Sequence, residues 1–334
     1  MILLRNRQQC RIKKKFFLFL FVMVLILLVC LIQFSGNIKL NDHHNEAQYP
    51  VENLKQRSKV LTGIEMDKLE ERMQKRVKHV AEICSKYRLY GTAQPNSREF
   101  LINKHHRLIW CNVFKAASTS WLYNFNILAG YTPQFLKKAK ENPINLARKK
   151  YERPSIEQLL TSLNHAMAFI IVRHPFERLL SGYLDKIQNS DQSSIYGKLG
   201  MKIIQKYRKK KNLSSPRWPT FPEFVNYVLD EIHSNKSDEH WTPITNFCTP
   251  CQVHFDVIAK FETLNEDQMY IIEKANISHI ISPEWKNPGK GTKNTVDLIY
   301  DFYNELSEEQ VRELYEVYKH DFELFDYSVK EFLP

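Results

Sequence analysis

Glycine is scarce in this chain, with nine residues in 334. None falls in IWCNVFKAASTSW, residues 109–121, where an apolar run ends in a lone Lys and a hydroxyl cluster. A Walker A phosphate loop is thereby excluded, since it needs glycines and a Lys directly adjoining its Ser or Thr. The one Cys-x-x-Cys pair, CTPC at 248–251, lacks the second pair of ligands that a structural zinc site wants. No carboxylate cluster of the kind that holds Mg²⁺ is visible, and no internal repeat runs through the chain. Acidic residues are missing from the first fifteen positions, MILLRNRQQCRIKKK.

What is present makes a core. Apolar residues are 43% of the chain and aromatics 12%, with twenty Phe and sixteen Tyr, which argues against wholesale disorder. The length suits one large domain or two modest ones. Of the formal charge of +11, six cations sit in the first fifteen residues. Behind them FFLFLFVMVLILLVCLIQF, residues 16–34, runs nineteen residues without a charge. That is long enough to cross a bilayer as a helix, and longer than the roughly 7–15-residue apolar core of a cleaved signal peptide. The positive-inside rule then makes 1–15 a cytoplasmic tail, 16–34 a transmembrane signal anchor and the remainder luminal or extracellular. Cleavage at the Ser35-Gly36 exit is the rival reading.

An oxidising compartment follows for the larger part. Cys84, Cys111, Cys248 and Cys251 form an even set there, with three pairings open and a disulfide role favoured over zinc. Asn212, Asn235 and Asn276 each open an Asn-x-Ser sequon, which is compatible with that side.

Residues 35–60 show no clean period and read as a tether. In 63–86, Ile64, Met66, Leu69, Met73, Val77, Val80 and Ile83 make a helical stripe among alternating charges. Either a stem coiled coil, supporting a homo-oligomer, or the first helix of the domain fits it. We assign 35–85 to a luminal stem and 86–334 to the globular domain. There RLIWCNVF, AMAFIIVR (166–173) and VHFDVIAKFETL (253–264) each read as a strand running into a helix. That alternation predicts an α/β domain with a central parallel sheet. Ser307 and Gln310, at capping-box spacing ahead of Val311, Leu314, Tyr315 and Tyr318, predict a C-terminal helix.

In an open α/β sheet, ligands collect where strand ends meet helix N-termini. Lys115, followed by Ser118, Thr119 and Ser120, would set an ammonium, backbone donors and hydroxyls around one anion. The plainer alternative is that Ser118 or Thr119 caps the helix. At the second strand end, FIIVRHPFERLLSGY places Arg173 after an apolar run, suited to hold a phosphate through paired hydrogen bonds, with Ser181 eight residues on. For Arg178 the default is a salt bridge to Glu177 or another neighbour.

These segments resemble those of the Golgi membrane-bound carbohydrate sulfotransferases, the group that includes the HNK-1 and the chondroitin and dermatan 4-O-sulfotransferases. His-Trp-Thr-Pro at 240–243, the CTPC pair, FDVIAKFETL and the terminal LYEVYKHDFELFDY resemble further family blocks, in family order over roughly residues 80–330. The resemblance implies a P-loop-like sulfotransferase domain behind one transmembrane helix and a stem, in a single-pass type II Golgi membrane protein. It implies PAPS as co-substrate and no metal. Lys115 would contact the sulfuryl-bridging oxygen. Ala116, Ala117, Ser118, Thr119, Ser120 and Trp121 would form the loop and helix start that bind the 5′-phosphosulfate. Arg173 and Ser181 would bind the 3′-phosphate. One position departs from the family: it carries Pro directly before the Lys, and here Phe114 stands there.

Sulfuryl transfer needs in-line positioning, a stabiliser for the leaving phosphate and a base for the attacking hydroxyl. Lys115 fits the second role. His240 in SDEHWTPI is the first choice for the base, with capping or packing as its other reading. His165 precedes its strand at the far end, and His174 adjoins Arg173 and could shape the nucleotide site. The basic clusters KYRKKKN (206–212), Lys137, Lys138 and Lys140, and Arg148 to Lys150 with Arg153 would steer an anionic glycan or proteoglycan. Ordinary solubilising charge explains them equally. Nucleic acid is set aside on topology. The competing functions are a weakened PAPS- or glycan-binding protein and a luminal sugar or protein kinase.

Overall fold

The apolar runs become strands, and the sheet they build is mixed. In the computed structural model, which describes residues 61–209, 216–281 and 295–333, four strands lie in the order β1 (Phe100–Asn103), β2 (Leu108–Cys111), β3 (Met167–Val172) and β4 (Val257–Lys260). β2, β3 and β4 run parallel, with Ile109 opposite Ala168 and Ile170 opposite Ile258. β1 pairs antiparallel with β2, Phe100 opposite Cys111, so the expected parallel sheet is corrected to a mixed one. The chain between β1 and β2, residues 104–107, is too short for the crossover that a parallel neighbour requires. β2 is buried at every position and β3 at all but its first, which is why both read as continuous apolar runs.

The helices follow in chain order as α1 (Gly63–Lys86), α2 (Ser118–Leu128), α3 (Pro133–Lys138), α4 (Pro143–Arg148), α5 (Ile156–Leu163) and α6 (Pro175–Gly182). A π-helical turn, Tyr183–Gln188, extends α6. Then come α7 (Ile195–Tyr207), α8 (Phe221–His233), α9 (Ile244–Phe247), α10 (Leu264–Lys274), α11 (Thr295–Tyr303) and α12 (Glu308–Leu324). The capping box at Ser307 and Gln310 forms as the spacing predicts, and α12 buries Val311, Leu314 and Tyr318.

The stripe in 63–86 resolves as a domain helix. Thr62 and Glu65 cap α1, and Leu69, Met73, Val80 and Cys84 are buried in the core around the sheet. Arg76 fastens it there, donating to Asp267 at 2.6 Å and to the Ile258 carbonyl at 2.9 Å. That face is covered by its own domain and so does not support a stem coiled coil or the oligomer drawn from it. A second apolar cluster joins Phe176, Leu180 and Tyr183 to Phe221, Phe224, Trp241 and Tyr318.

The membrane helix is also corrected. Among the described residues no helix is long and apolar enough to cross a membrane. Residues 16–34, where the signal anchor was expected, lie outside the described residues, as do the tail and the whole tether, 35–60. The fold class is therefore stated without a preceding transmembrane element, and the type II Golgi topology and membrane association built on it are not carried forward.

Of the three open cysteine pairings the fold selects Cys84–Cys251 and Cys111–Cys248. Both halves of CTPC are thus disulfide-bonded, which removes the zinc reading.

Candidate active site

The loop after β2 bends without glycine. Lys115 and Ala117 hold φ of +69° and +58°, in the left-handed region that costs an L-residue roughly 1–2 kcal/mol. Such strain persists only where surroundings over-determine it, and two buried guanidiniums from the β3–α6 segment do so. Arg178 Nε donates to the Phe114 carbonyl at 2.9 Å, and Arg173 Nη1 to the Lys115 carbonyl at 3.3 Å.

Arg178 overturns its default. Its remaining donors go to the carbonyls of Thr242 at 2.8 Å and Glu239 at 3.3 Å. Glu177 instead pairs with Arg173, one turn away at 3.2 Å. Arg178 is about 1% exposed. A guanidinium can be buried there because its fork meets three backbone acceptors that would otherwise lack donors.

The capping alternative for Ser118 or Thr119 also fails. The N-cap of α2 is Ala117, left-handed, with no side-chain cap. The helix start therefore keeps backbone donors and the positive dipole end facing the loop, an arrangement that suits an anion. Ser118 is half-buried, Thr119 exposed, and Ala116 and Ser120 buried. Trp121 faces the core, its ring 4.7 Å from that of Phe169. Arg173 lies beneath the loop with its guanidinium 4.3 Å from the Phe261 ring. Ser181 is half-buried on α6, beside Gly182, where an added Cβ would come within 3.4 Å of the His240 carbonyl.

Lys115 Nζ meets Asp185 at 3.1 Å, and Lys186 reaches the same carboxylate at 3.3 Å. Burial holds the Lys115 ammonium below the usual lysine range, with Asp185 opposing. Asp185 is pushed up by burial but is held net below the usual carboxylate range by the two lysines. Both acid and second lysine lie in the π-helical turn, a form often found at functional sites.

His240 is about 6% exposed and reaches the loop through Phe114, whose ring lies 4.8 Å away. Its Nδ1 is 2.7 Å from Asp238, which also accepts from the His240 backbone N–H at 2.9 Å and the Tyr196 hydroxyl at 3.0 Å. The Tyr196 hydroxyl also lies 3.0 Å from Nδ1, and a proton on Nδ1 shared with Asp238 would leave the lone pair on Nε2. Burial lowers the His240 pKa, Asp238 offsets part of that, and Lys186 and Lys115 add to the lowering. The imidazole is thus neutral at neutral pH, as a base must be. The segment is anchored from below, where the buried Asp321 accepts from the backbone N–H groups of Ile244 at 2.6 Å and Thr245 at 2.8 Å.

The fold brings together Lys115, the start of α2, Arg173 and His240. It turns His174 elsewhere, its Nε2 being 3.1 Å from the Ser328 carbonyl. His165 is exposed ahead of β3. Of the basic clusters, Arg208 is taken by Glu223 at 2.8 Å and Lys206 by Asp230 at 2.5 Å, while residues 210–212 lie outside the described residues. Sequence reasoning missed Asp238, Tyr196, Asp185 and Lys186. Asp238, two residues before His240 in SDEHWTP, was readable as an Asp-x-His pair. The other three are assembled by tertiary packing.

Residues 98–328 match the model of the Sulfotransferase family. Among curated proteins, the chain is 33% identical to carbohydrate sulfotransferase 11 of Mus musculus over 249 residues, 72% of this chain and 70% of the relative. It is 31% identical to carbohydrate sulfotransferase 14 of Danio rerio over 240 residues, covering 70% and 63% of the two chains. It is 28% identical to carbohydrate sulfotransferase 10 of Xenopus laevis over 275 residues, 77% of each. No solved structure matches the chain. A family match over well more than half its length, with relatives at this identity and coverage, means that the chain belongs to the sulfotransferase family and is an enzyme of that family.

Proposed function

We propose that this enzyme transfers the sulfuryl group of PAPS to a hydroxyl of an anionic glycan, of chondroitin/dermatan or HNK-1 type. The convergence of Lys115 and His240 on Phe114 carries the reading: adjacent residues of one loop present a half-buried ammonium and a ring packed on an imidazole beside Asp238. The names of the relatives, carbohydrate sulfotransferases, support a sugar acceptor.

The residues present fit a donor with two phosphate ends. An uncapped helix start and Lys115 stand at one strand end, and Arg173 with Ser181 at the next, where a phosphate would compete with Glu177 for the Arg173 guanidinium. When bound, PAPS supplies the activated sulfuryl group. Lys115 holds an ammonium where negative charge develops on the departing phosphate, and Asp185 opposes the lowering that burial imposes on its pKa. Asp238 fixes the imidazole through Nδ1, and Nε2 of His240 takes the proton from the acceptor hydroxyl. Arg178 holds the loop and the 239–242 segment at a set separation.

Labelled PAPS offered with desulfated chondroitin, dermatan and an HNK-1-type acceptor, followed by disaccharide analysis, tests this. Transfer that survives EDTA and is lost in Lys115→Ala is the expected result. Nucleotide binding without transfer to any acceptor would leave the binding-protein reading, and dependence on ATP with a divalent metal the kinase reading.

A further inference from the structure

A cleft of about 370 Å³ opens beside Phe114, on a wall built by Glu99, Phe114, Arg148, Lys149, Arg153 and Glu239. Its volume falls in the range of roughly 300–1,000 Å³ typical of small-molecule sites. Two wall residues adjoin the proposed catalytic pair, Phe114 preceding Lys115 and Glu239 preceding His240. Arg178 donates to the carbonyls of both Phe114 and Glu239, so cleft and catalytic pair are held as one unit.

The charges of the wall are unevenly engaged. Glu99 is about 5% exposed and is met by Arg148 Nη2 at 3.4 Å. Arg148 is committed to the fold, donating to the Phe100 carbonyl at 2.8 Å and the Arg98 carbonyl at 3.2 Å. Lys149 is paired with Glu141 at 2.6 Å. Arg153 differs. Its side chain is 47% exposed, its nearest carboxylate oxygen is Glu99 Oε1 at 3.8 Å, and it makes no hydrogen bond among the described residues. It is thus a guanidinium with open donors at the edge of a cleft lined by the residues that directly precede Lys115 and His240.

We propose that this cleft is an acceptor subsite in which Arg153 binds the oxyanion of a sugar unit neighbouring the one that is sulfated. The proposal rests on the glycan-acceptor reading above. The ligand is an oxyanion-bearing sugar, and a uronate carboxylate and a sulfate ester share the chemistry that Arg153 recognises, two oxygens in the plane of its fork. Arg148 and Lys149 add to the positive field behind it. Glu239, whose carboxyl is pushed up by burial and by the adjacent Glu99 and Asp238, accepts hydrogen bonds from the sugar hydroxyls.

The test is calorimetric binding to the full chain in the presence of adenosine 3′,5′-bisphosphate. Three oligosaccharides are compared: one with uronates and no sulfate, its carboxyl-reduced neutral counterpart, and a neutral backbone carrying a sulfate ester. We expect at least one anionic oligosaccharide to bind. Arg153→Gln should raise its Kd about tenfold, Arg153→Glu should raise it further, and binding of the neutral counterpart should not change. The anionic arm that responds identifies carboxylate or sulfate ester. Unchanged Kd in Arg153→Gln on both anionic arms overturns the proposal. So does an equal loss for the neutral oligosaccharide, or no binding by either anionic one. Because Arg153 is exposed, both variants should keep the thermal midpoint of the parent, which separates lost recognition from lost folding. Sulfate transfer is followed separately in the same preparations. Arg153-dependent binding without transfer would sink the proposed activity and leave the cleft standing.

Discussion

The ring of Phe114 packs on the imidazole of His240, with centroids 4.8 Å apart and planes inclined by 47°. Phe114 also meets Phe247 edge-on at 6.1 Å, so it is held in place from behind. Phe114 thus seats the proposed base on one side while Asp238 holds it on another. Phe114→Ala should lower kcat about tenfold, the scale of losing an aromatic pair and its positioning. The KM for PAPS should stay within about twofold, because the Arg178 contact uses the Phe114 backbone. Steady-state kinetics with a fixed acceptor reads both quantities.

Asp238 should set the acid limb of the pH profile. As the proposed base His240 works deprotonated, and burial is the chief cause that holds its pKa below the usual imidazole range. Activity should therefore be flat through neutral pH and fall only as pH drops through that depressed value. Asp238 is the group that raises the imidazole pKa. Asp238→Asn should move the limb to still lower pH and cut kcat by about a hundredfold, as the tautomer and ring orientation are lost. A limb that moved upward would contradict the assignment of His240 as base.

The alkaline limb should belong to Lys115, whose proposed role requires the ammonium. Burial depresses its pKa and Asp185 opposes that, so activity should be lost as pH rises through a value below the usual lysine range. Asp185→Asn removes the opposing charge and should shift this limb to lower pH. The shift is read from kcat/KM against pH, and an unmoved limb would remove Lys115 from the role.

Arg178→Met leaves the carbonyls of Phe114, Glu239 and Thr242 without their common donor. Unsatisfied buried acceptors cost about 1–3 kcal/mol each, so the variant should lose about 3 kcal/mol or more of stability in urea unfolding. Arg178→Lys should recover only part of this, because a single ammonium cannot reproduce the fork.

The strand ends were legible because their signals are local. Continuous apolar runs marked β2 and β3, and Lys115 and Arg173 followed them directly. The capping box at Ser307 was legible for the same reason. β1 was not. FLIN is four residues long, and its antiparallel pairing depends on a short connection that only the assembled sheet displays. Arg178 was misassigned because Glu177 adjoins it in sequence, whereas burial directs its fork to three carbonyls and gives Glu177 to Arg173. The choice between cap and anion site at 118 and 119 was not legible, because their hydroxyls look like caps while the left-handed Ala117 takes that position.

The amino-acid sequence by itself determined the α/β alternation, the two cation-bearing strand ends and the even set of cysteines. The first two depend on patterns within a few residues, and the third on a count. The tertiary structure alone decided which cysteines pair, that α1 belongs to the core, and that Tyr196, Asp185 and Lys186 surround Lys115 and His240. These contacts join residues dozens of positions apart. A linear pattern carries no such term, because burial and donor–acceptor matching act only once the chain has closed on itself.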